Sequence, residues 1–207
     1  MRSSAPTSTS ALPERFTTKT LDMKVQQKLA LQREVGWPEE PKRMMICLPA
    51  GMTDALGGAL LQDVLPGLFT LPMQLVILGK GSSQYGSLFT QLAAEEPDRV
   101  AIVQASDENQ RRLIAASDAV LFLANPDKLA LADVALRYGT IPIGPACEVL
   151  ENYNPNQETG NAFTYDGATP WHCFAAAVRA VETYRFPFDW RTIQRHCLND
   201  RDEEDDE

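Results

Sequence analysis

Three stretches of this chain place groups that can do chemistry where a loop would present them. Leu78-Gly79-Lys80-Gly81-Ser82-Ser83 sets a cation between two glycines, after an apolar run and before a helical pattern. Glycines at a helix start let backbone N–H groups approach a phosphate. A dinucleotide pyrophosphate loop needs a third glycine and a later acid, and that glycine is missing, so a simple tight turn is the better reading of the pair. Gln104-Ala-Ser-Asp-Glu-Asn-Gln-Arg-Arg112 offers the Ser106 hydroxyl and the Asp107 carboxylate to a ribose or a base, although the N-cap of the helix that follows is the better reading of Asp107. Ala124 to Lys128 ends another apolar run with Pro126, Asp127 and Lys128 and has no glycine. A fourth loop, Pro49 to Gly58, lies where a phosphate cradle would lie, yet no Lys or Arg occurs between Arg43 and Leu78. A departing diphosphate needs such cations, so a plain connection capped by Thr53 or Asp54 is the better reading. The dipeptides His172-Cys173 and His196-Cys197 imitate metal ligands. Helical neighbours point about 100° apart, so neither pair aims both side chains at one ion, and neither a metal nor a cofactor is expected.

The elements that position these loops follow a regular alternation. Met44 to Leu48, Gln74 to Leu78, Arg99 to Val103 and Ala119 to Leu123 are near-continuous apolar runs, followed by the β-branched run at Ile141 and Ile143. Between them lie helical patterns: from Thr53 or Asp54 to Phe69, Tyr85 to Glu96, Asp107 to Ala116, and Leu129 to Tyr138. Apolar strands alternating with helices predict a parallel sheet covered on both faces, a doubly wound α/β domain. Its ligand sites lie at the carboxyl ends of the strands, where the four loops above fall. A polar loop at 152–159, an extended piece at Phe163 to Tyr165, a helix from Pro170 to Tyr184 with Pro in its first turn, and a last helix from Trp190 to Leu198 complete the domain. Before the first strand, Val25, Leu29, Leu31 and Val35 are spaced as on one helix face, predicting a short surface helix over Met23 to Val35, ended by Gly36 and Pro38.

The chain has 207 residues, 44% of them apolar, enough for one domain with a substantial core. Residues 1–20, rich in Ser, Thr and Pro, read as a disordered leader, with a targeting segment as the alternative. Of the net charge of −9, about two thirds comes from the acidic tail 200–207, where seven acids face Arg201. The rest is mildly acidic, which argues against a nucleic-acid backbone as partner, and no run is long enough to span a membrane. Cys47, Cys147, Cys173 and Cys197 are scattered and read as reduced thiols, which suits a cytoplasmic protein.

Taken in order, several segments resemble the carboxyl-terminal half of bacterial glycogen and plant starch synthases, glycosyltransferases of GT-B architecture. The likeness starts at Lys24-Val-Gln-Gln-Lys28-Leu-Ala-Leu31-Gln32 with Gly36. It runs through Val64-Leu-Pro-Gly-Leu68, Gln74 to Gly81, Glu96-Pro-Asp-Arg-Val-Ala-Ile102, Ala116-Ser-Asp118, Arg137-Tyr-Gly139-Thr-Ile-Pro142 and Thr159-Gly-Asn-Ala-Phe163. It implies a Rossmann-like single domain over residues 21–199, with a nucleotide-sugar site at Gly79, Lys80, Gly81, Ser106, Asp127 and Lys128. The departures fall on the chemistry. The family's diphosphate-binding Arg and Lys align with Gly51 and Leu56. Its Glu aligns with Pro126, leaving Asp127 as a shorter, displaced and only partial substitute, so no catalytic residue is assigned. The family's Gly-Tyr at the adenine side becomes Gln104-Ala105. The amino-terminal half that closes the catalytic cleft has no counterpart. The expectation is therefore a domain without activity of its own, which binds a partner protein across the face that would meet that half, or binds a nucleotide sugar. The alternative is a subunit that binds ADP- or UDP-glucose and is completed by a separate acceptor-domain chain.

Overall fold

The structure, a computed structural model, describes residues 16–79, 81–124 and 130–199. Six strands form one all-parallel sheet: β1 (Met44–Leu48), β2 (Met73–Gly79), β3 (Val100–Gln104), β4 (Ala119–Leu121), β5 (Ile141–Pro145) and β6 (Phe163–Tyr165). Their spatial order is β3-β2-β1-β4-β5-β6. The strand order reverses direction between β1 and β4.

The helices are α1 (Met23–Glu34), α2 (Gly58–Leu68), α3 (Ser83–Glu95), α4 (Asp107–Ala116), α5 (Leu131–Arg137), α6 (Pro170–Tyr184) and α7 (Pro187–Asn199). Strand residues alternate between two cores. Met44, Ile46 and Leu48 pack with α2 and α6, whereas Met45 and Cys47 pack with α4. Both faces are covered, which is why the strands read as continuous apolar runs. The α6 helix begins as expected, with Pro170 in its first turn and the Thr169 hydroxyl accepting from the His172 N–H. None of the four cysteines forms a disulfide.

Three expectations are corrected. The segment after β1 is two pieces, a 3-10 turn at Asp54–Leu56 and then α2, and neither Thr53 nor Asp54 caps it with its side chain. The cap of α4 is Ser106, whose Oγ accepts from the Asn109 N–H at 3.0 Å, so Asp107 belongs to the first turn. The third concerns α1, whose inward face is polar: it buries Lys24, Lys28, Leu31 and Gln32, while Val25 is 42% exposed.

The reason is the place α1 occupies. It crosses the amino-terminal ends of the strands, where the sheet offers unpaired carbonyls and polar side chains. Lys24 Nζ donates to Thr140 Oγ1 (2.6 Å) and to the Ala115 carbonyl (2.9 Å), next to the start of β5. Lys28 Nζ donates to Asp118 Oδ2 (2.6 Å), just before β4, and to the Pro41 carbonyl (3.1 Å), just before β1. Gln32 Nε2 donates to Gln74 Oε1 (2.8 Å) in β2, and Trp37 Nε1 to the Pro97 carbonyl (2.7 Å) ahead of β3. Positions four apart on a helix advance about 6 Å, close to the roughly 4.8 Å between strands, so one helix face can meet successive strands. The residues carrying the first part of the resemblance are thus the ones that tie the strand ends together.

Candidate functional site

At the opposite, carboxyl-terminal end of the sheet, the loops after β1, β2 and β3 and the start of α5 enclose a cleft of about 510 Å³. That volume falls within the usual range of small-molecule sites. Its walls are Ala50, Gly51, Thr53, Leu56 and Leu78, then Gly81, Ala105, Ser106, Asp107 and Gln110, with Leu131 from α5. The loops are tied to one another. Gln110 Nε2 donates to the Pro49 carbonyl (2.7 Å), the Ser82 N–H donates to the Met52 carbonyl (3.0 Å), and Met52 and Gly81 form a bridge of parallel type. Gly81 has φ +135°, and a Cβ there would stand 2.2 Å from the Met52 oxygen, so glycine is what lets the two loops meet.

Of the residues expected to bind a nucleotide sugar, Gly81 and Ser106 come together on this cleft. Gly79, the last residue of β2, is exposed beside it and is not one of its walls. Lys80, Asp127 and Lys128 lie outside the described residues. The two positions where the resemblance places an Arg and a Lys, Gly51 and Leu56, both line the cleft. No described wall residue carries a positive charge, and Asp107 adds a negative one.

One arrangement escaped the reading of the sequence. Tyr85, on α3, is 1% exposed and donates its phenol to Asp54 Oδ1 at 2.5 Å. Its ring lies so close to the amino end of α2 that a Cβ on Gly58 would be 2.1 Å from Cζ. The Gly58 N–H is committed to the Thr53 carbonyl. A helix start after the first strand is where a phosphate would be welcome. Here an aromatic ring covers it and the neighbouring side chain is an acid. The bond to Asp54 also pushes the Tyr85 phenol above its ordinary value. Sequence alone offers only the Gly57-Gly58 pair as a hint, because Asp54 and Tyr85 are 31 residues apart.

Chemically, the described walls supply apolar surface for a flat ring, hydroxyls at Ser106 and Thr53, and a carboxylate at Asp107 that can accept from a sugar hydroxyl. They supply nothing that stabilises a leaving diphosphate. No group of three or more His, Cys, Asp or Glu among the described residues is placed to hold a metal ion.

No protein-family model matches the chain. It is 31% identical over 190 residues to glycogen synthase 1 of Synechocystis sp., covering 88% of this chain and 40% of that protein. This chain is a domain-sized homologue of the glycogen synthases. It spans less than half the length of such relatives. Its fold matches the catalytic domain of starch synthase IV from Arabidopsis thaliana, bound to ADP and acarbose, with a TM-score of 0.71 at 20% identity, over 88% of this chain and 40% of that one. It also matches the C-terminal domain of a group 1 glycosyl transferase from Francisella tularensis, with a TM-score of 0.61 at 11% identity, over 91% of this chain and 97% of that one. The glycogen-synthase homologue thus has the Rossmann-like fold of a GT-B glycosyltransferase domain, in agreement with the fold expected from its strand and helix order.

Proposed function

We propose that this glycogen-synthase homologue is a glycosyltransferase-like domain without catalysis of its own, which works by binding a partner protein or a nucleotide sugar. The observation that carries the reading is the cleft wall at Gly51 and Leu56. The cleft has the volume of a small-molecule site, while the two positions expected to hold a diphosphate bear no charge and no functional side chain. Asp54, held by Tyr85 beside the start of α2, makes that region less hospitable to phosphate. A second reading, a subunit completed by a separate acceptor-domain chain, is favoured by the preserved cleft and by the ADP bound to the starch synthase of like fold. On either reading the nucleotide sugar would sit against Gly81 and Ser106, with Gly79 beside them, while the other expected residues, Lys80, Asp127 and Lys128, lie outside the described residues.

Thermal shift with millimolar ADP-glucose and UDP-glucose separates the readings. Stabilisation by several degrees supports retained nucleotide-sugar binding, and no shift counts against it. Restoring the charges as Gly51→Arg with Leu56→Lys should raise affinity for ADP-glucose by tenfold or more, since a charge-assisted hydrogen bond contributes about 1.5–3 kcal/mol. Transfer of glucose to a glucan by the purified, unmodified chain would sink the proposal.

A further inference from the structure

A second cavity of about 510 Å³ lies at the other end of the molecule, near the amino-terminal strand ends. The start of α1, the segment before β1, the end of α6 and the first two turns of α7 surround it. Leu21, Val25, Pro41, Pro187 and Trp190 give it apolar walls. The partial exposure of Val25 is explained here: it faces this opening and not a neighbouring helix.

Charge distinguishes this cavity from the cleft. Its lining includes Lys24, Lys42, Arg185 and Arg191 against one acid, Asp118. Asp118 is already neutralised, because its Oδ2 accepts from Lys28 Nζ (2.6 Å) and from the Met45 N–H (2.7 Å). Lys24 is likewise spent on Thr140 and Ala115. The remaining cations are available. Arg185 pairs with Glu182 and Arg191 with Asp22 through side chains that are half or more exposed on the acidic side, and exposed pairs of this kind are weakly held. Lys42 makes no ion pair among the described residues. In a chain of net charge −9, this is a place where the sign reverses around an apolar hollow.

We infer that this cavity is a binding site for a small organic anion with an apolar body, such as an aryl carboxylate or sulfonate, its ring against Trp190 and Val25 and its charge held by Lys42, Arg185 and Arg191. The site is separate from the cleft and independent of what the cleft binds. A nucleotide sugar, whose body is polar, is the wrong chemistry for these walls.

The test uses the full chain and 1-anilinonaphthalene-8-sulfonate, followed by its fluorescence, with benzoate and octanoate as competitors and octanol as the neutral control. Saturable binding at one site per chain is expected, displaced by the carboxylates and not by octanol or ADP-glucose. Arg185→Gln with Arg191→Gln should weaken it at least tenfold, and Val25→Trp should abolish it by filling the hollow. Ser106→Ala, in the cleft, should leave it unchanged. Circular dichroism and the melting temperature establish that each variant is folded. Absence of saturable binding, equal affinity of the double arginine variant, equal competition by octanol, or displacement by ADP-glucose would each overturn the inference.

Discussion

Lys28 and Asp118 show how much one polar pair can decide in this fold. Both are buried, and Asp118 also holds the first backbone N–H of β1 after Met44, so the pair links α1, β1 and β4. Removing one partner leaves a buried charge uncompensated, which costs about 3–5 kcal/mol. Lys28→Met should therefore lower the urea midpoint markedly, and Lys28→Met with Asp118→Leu should recover much of the loss. Equal midpoints for the single variant and the parent would show that the pair is not structurally important. Lys24 adds a pH signature. Burial lowers its pKa from 10.5 to about 7 in the fold, so between those values the unfolded chain binds more protons and stability rises with pH. Burial pushes the Cys47 thiol from 9.0 up to about 12 and also raises the Tyr165 and Tyr184 phenols, so these groups withdraw stability above about pH 9. Stability measured by urea denaturation should rise from pH 7 to a maximum near pH 9 and then fall. Lys24→Met should flatten the rise and leave the fall.

Among the elements, α1 is the one whose role reverses the pattern reading. The 3.6-residue spacing of Val25, Leu29, Leu31 and Val35 locates the helix, and its observed bounds agree within a residue. The spacing does not tell which face turns inward, because that depends on what lies beneath. Strand ends present carbonyls and carboxylates, and lysines with long apolar stems satisfy these while burying their methylenes. The loop pair after β1 and β2 behaves in the same way. Gly81 looks like part of a phosphate loop, and in the fold it is the contact at which two loops meet. Gly81→Ala forces a side chain into a positive-φ position against the Met52 oxygen and should cost about 1–3 kcal/mol in chemical denaturation. It should also weaken any nucleotide-sugar binding in proportion to the opening of the cleft. A variant as stable as the parent would show that the loops are free to separate.

For the whole molecule, the sheet divides two cores, and each contains a tryptophan: Trp190 on the α2 and α6 side, Trp37 on the α4 side. Because α1 meets the ends of four strands and Trp37, just after it, the approach to a fifth, neither face can come apart without the other. Unfolding should therefore be a single transition, with fluorescence of Trp190→Phe, of Trp37→Phe and far-ultraviolet circular dichroism giving one midpoint for each protein. Distinct midpoints within one variant would mean that the faces unfold separately. Deleting residues 16–37 should prevent folding altogether, a loss visible as absent near-ultraviolet dichroism. Among the described residues no helix is long and apolar enough to cross a membrane.

Strand order along the chain, helix positions and the doubly wound class were legible without coordinates, since each follows from local periodicity and from the requirement that a parallel sheet be covered twice. The α6 bounds and the β1 bounds are read without error for that reason. The site was legible only in outline. Loops at strand ends can be listed from the sequence, and Gly81 and Ser106 do meet there. That Tyr85 covers the start of α2, that α1 turns its lysines inward, and that cations gather around an apolar hollow beside Trp190 all depend on contacts between distant segments. Pairings of that kind are settled by tertiary packing, because each side chain's partner is chosen by where other elements lie and not by its neighbours along the chain.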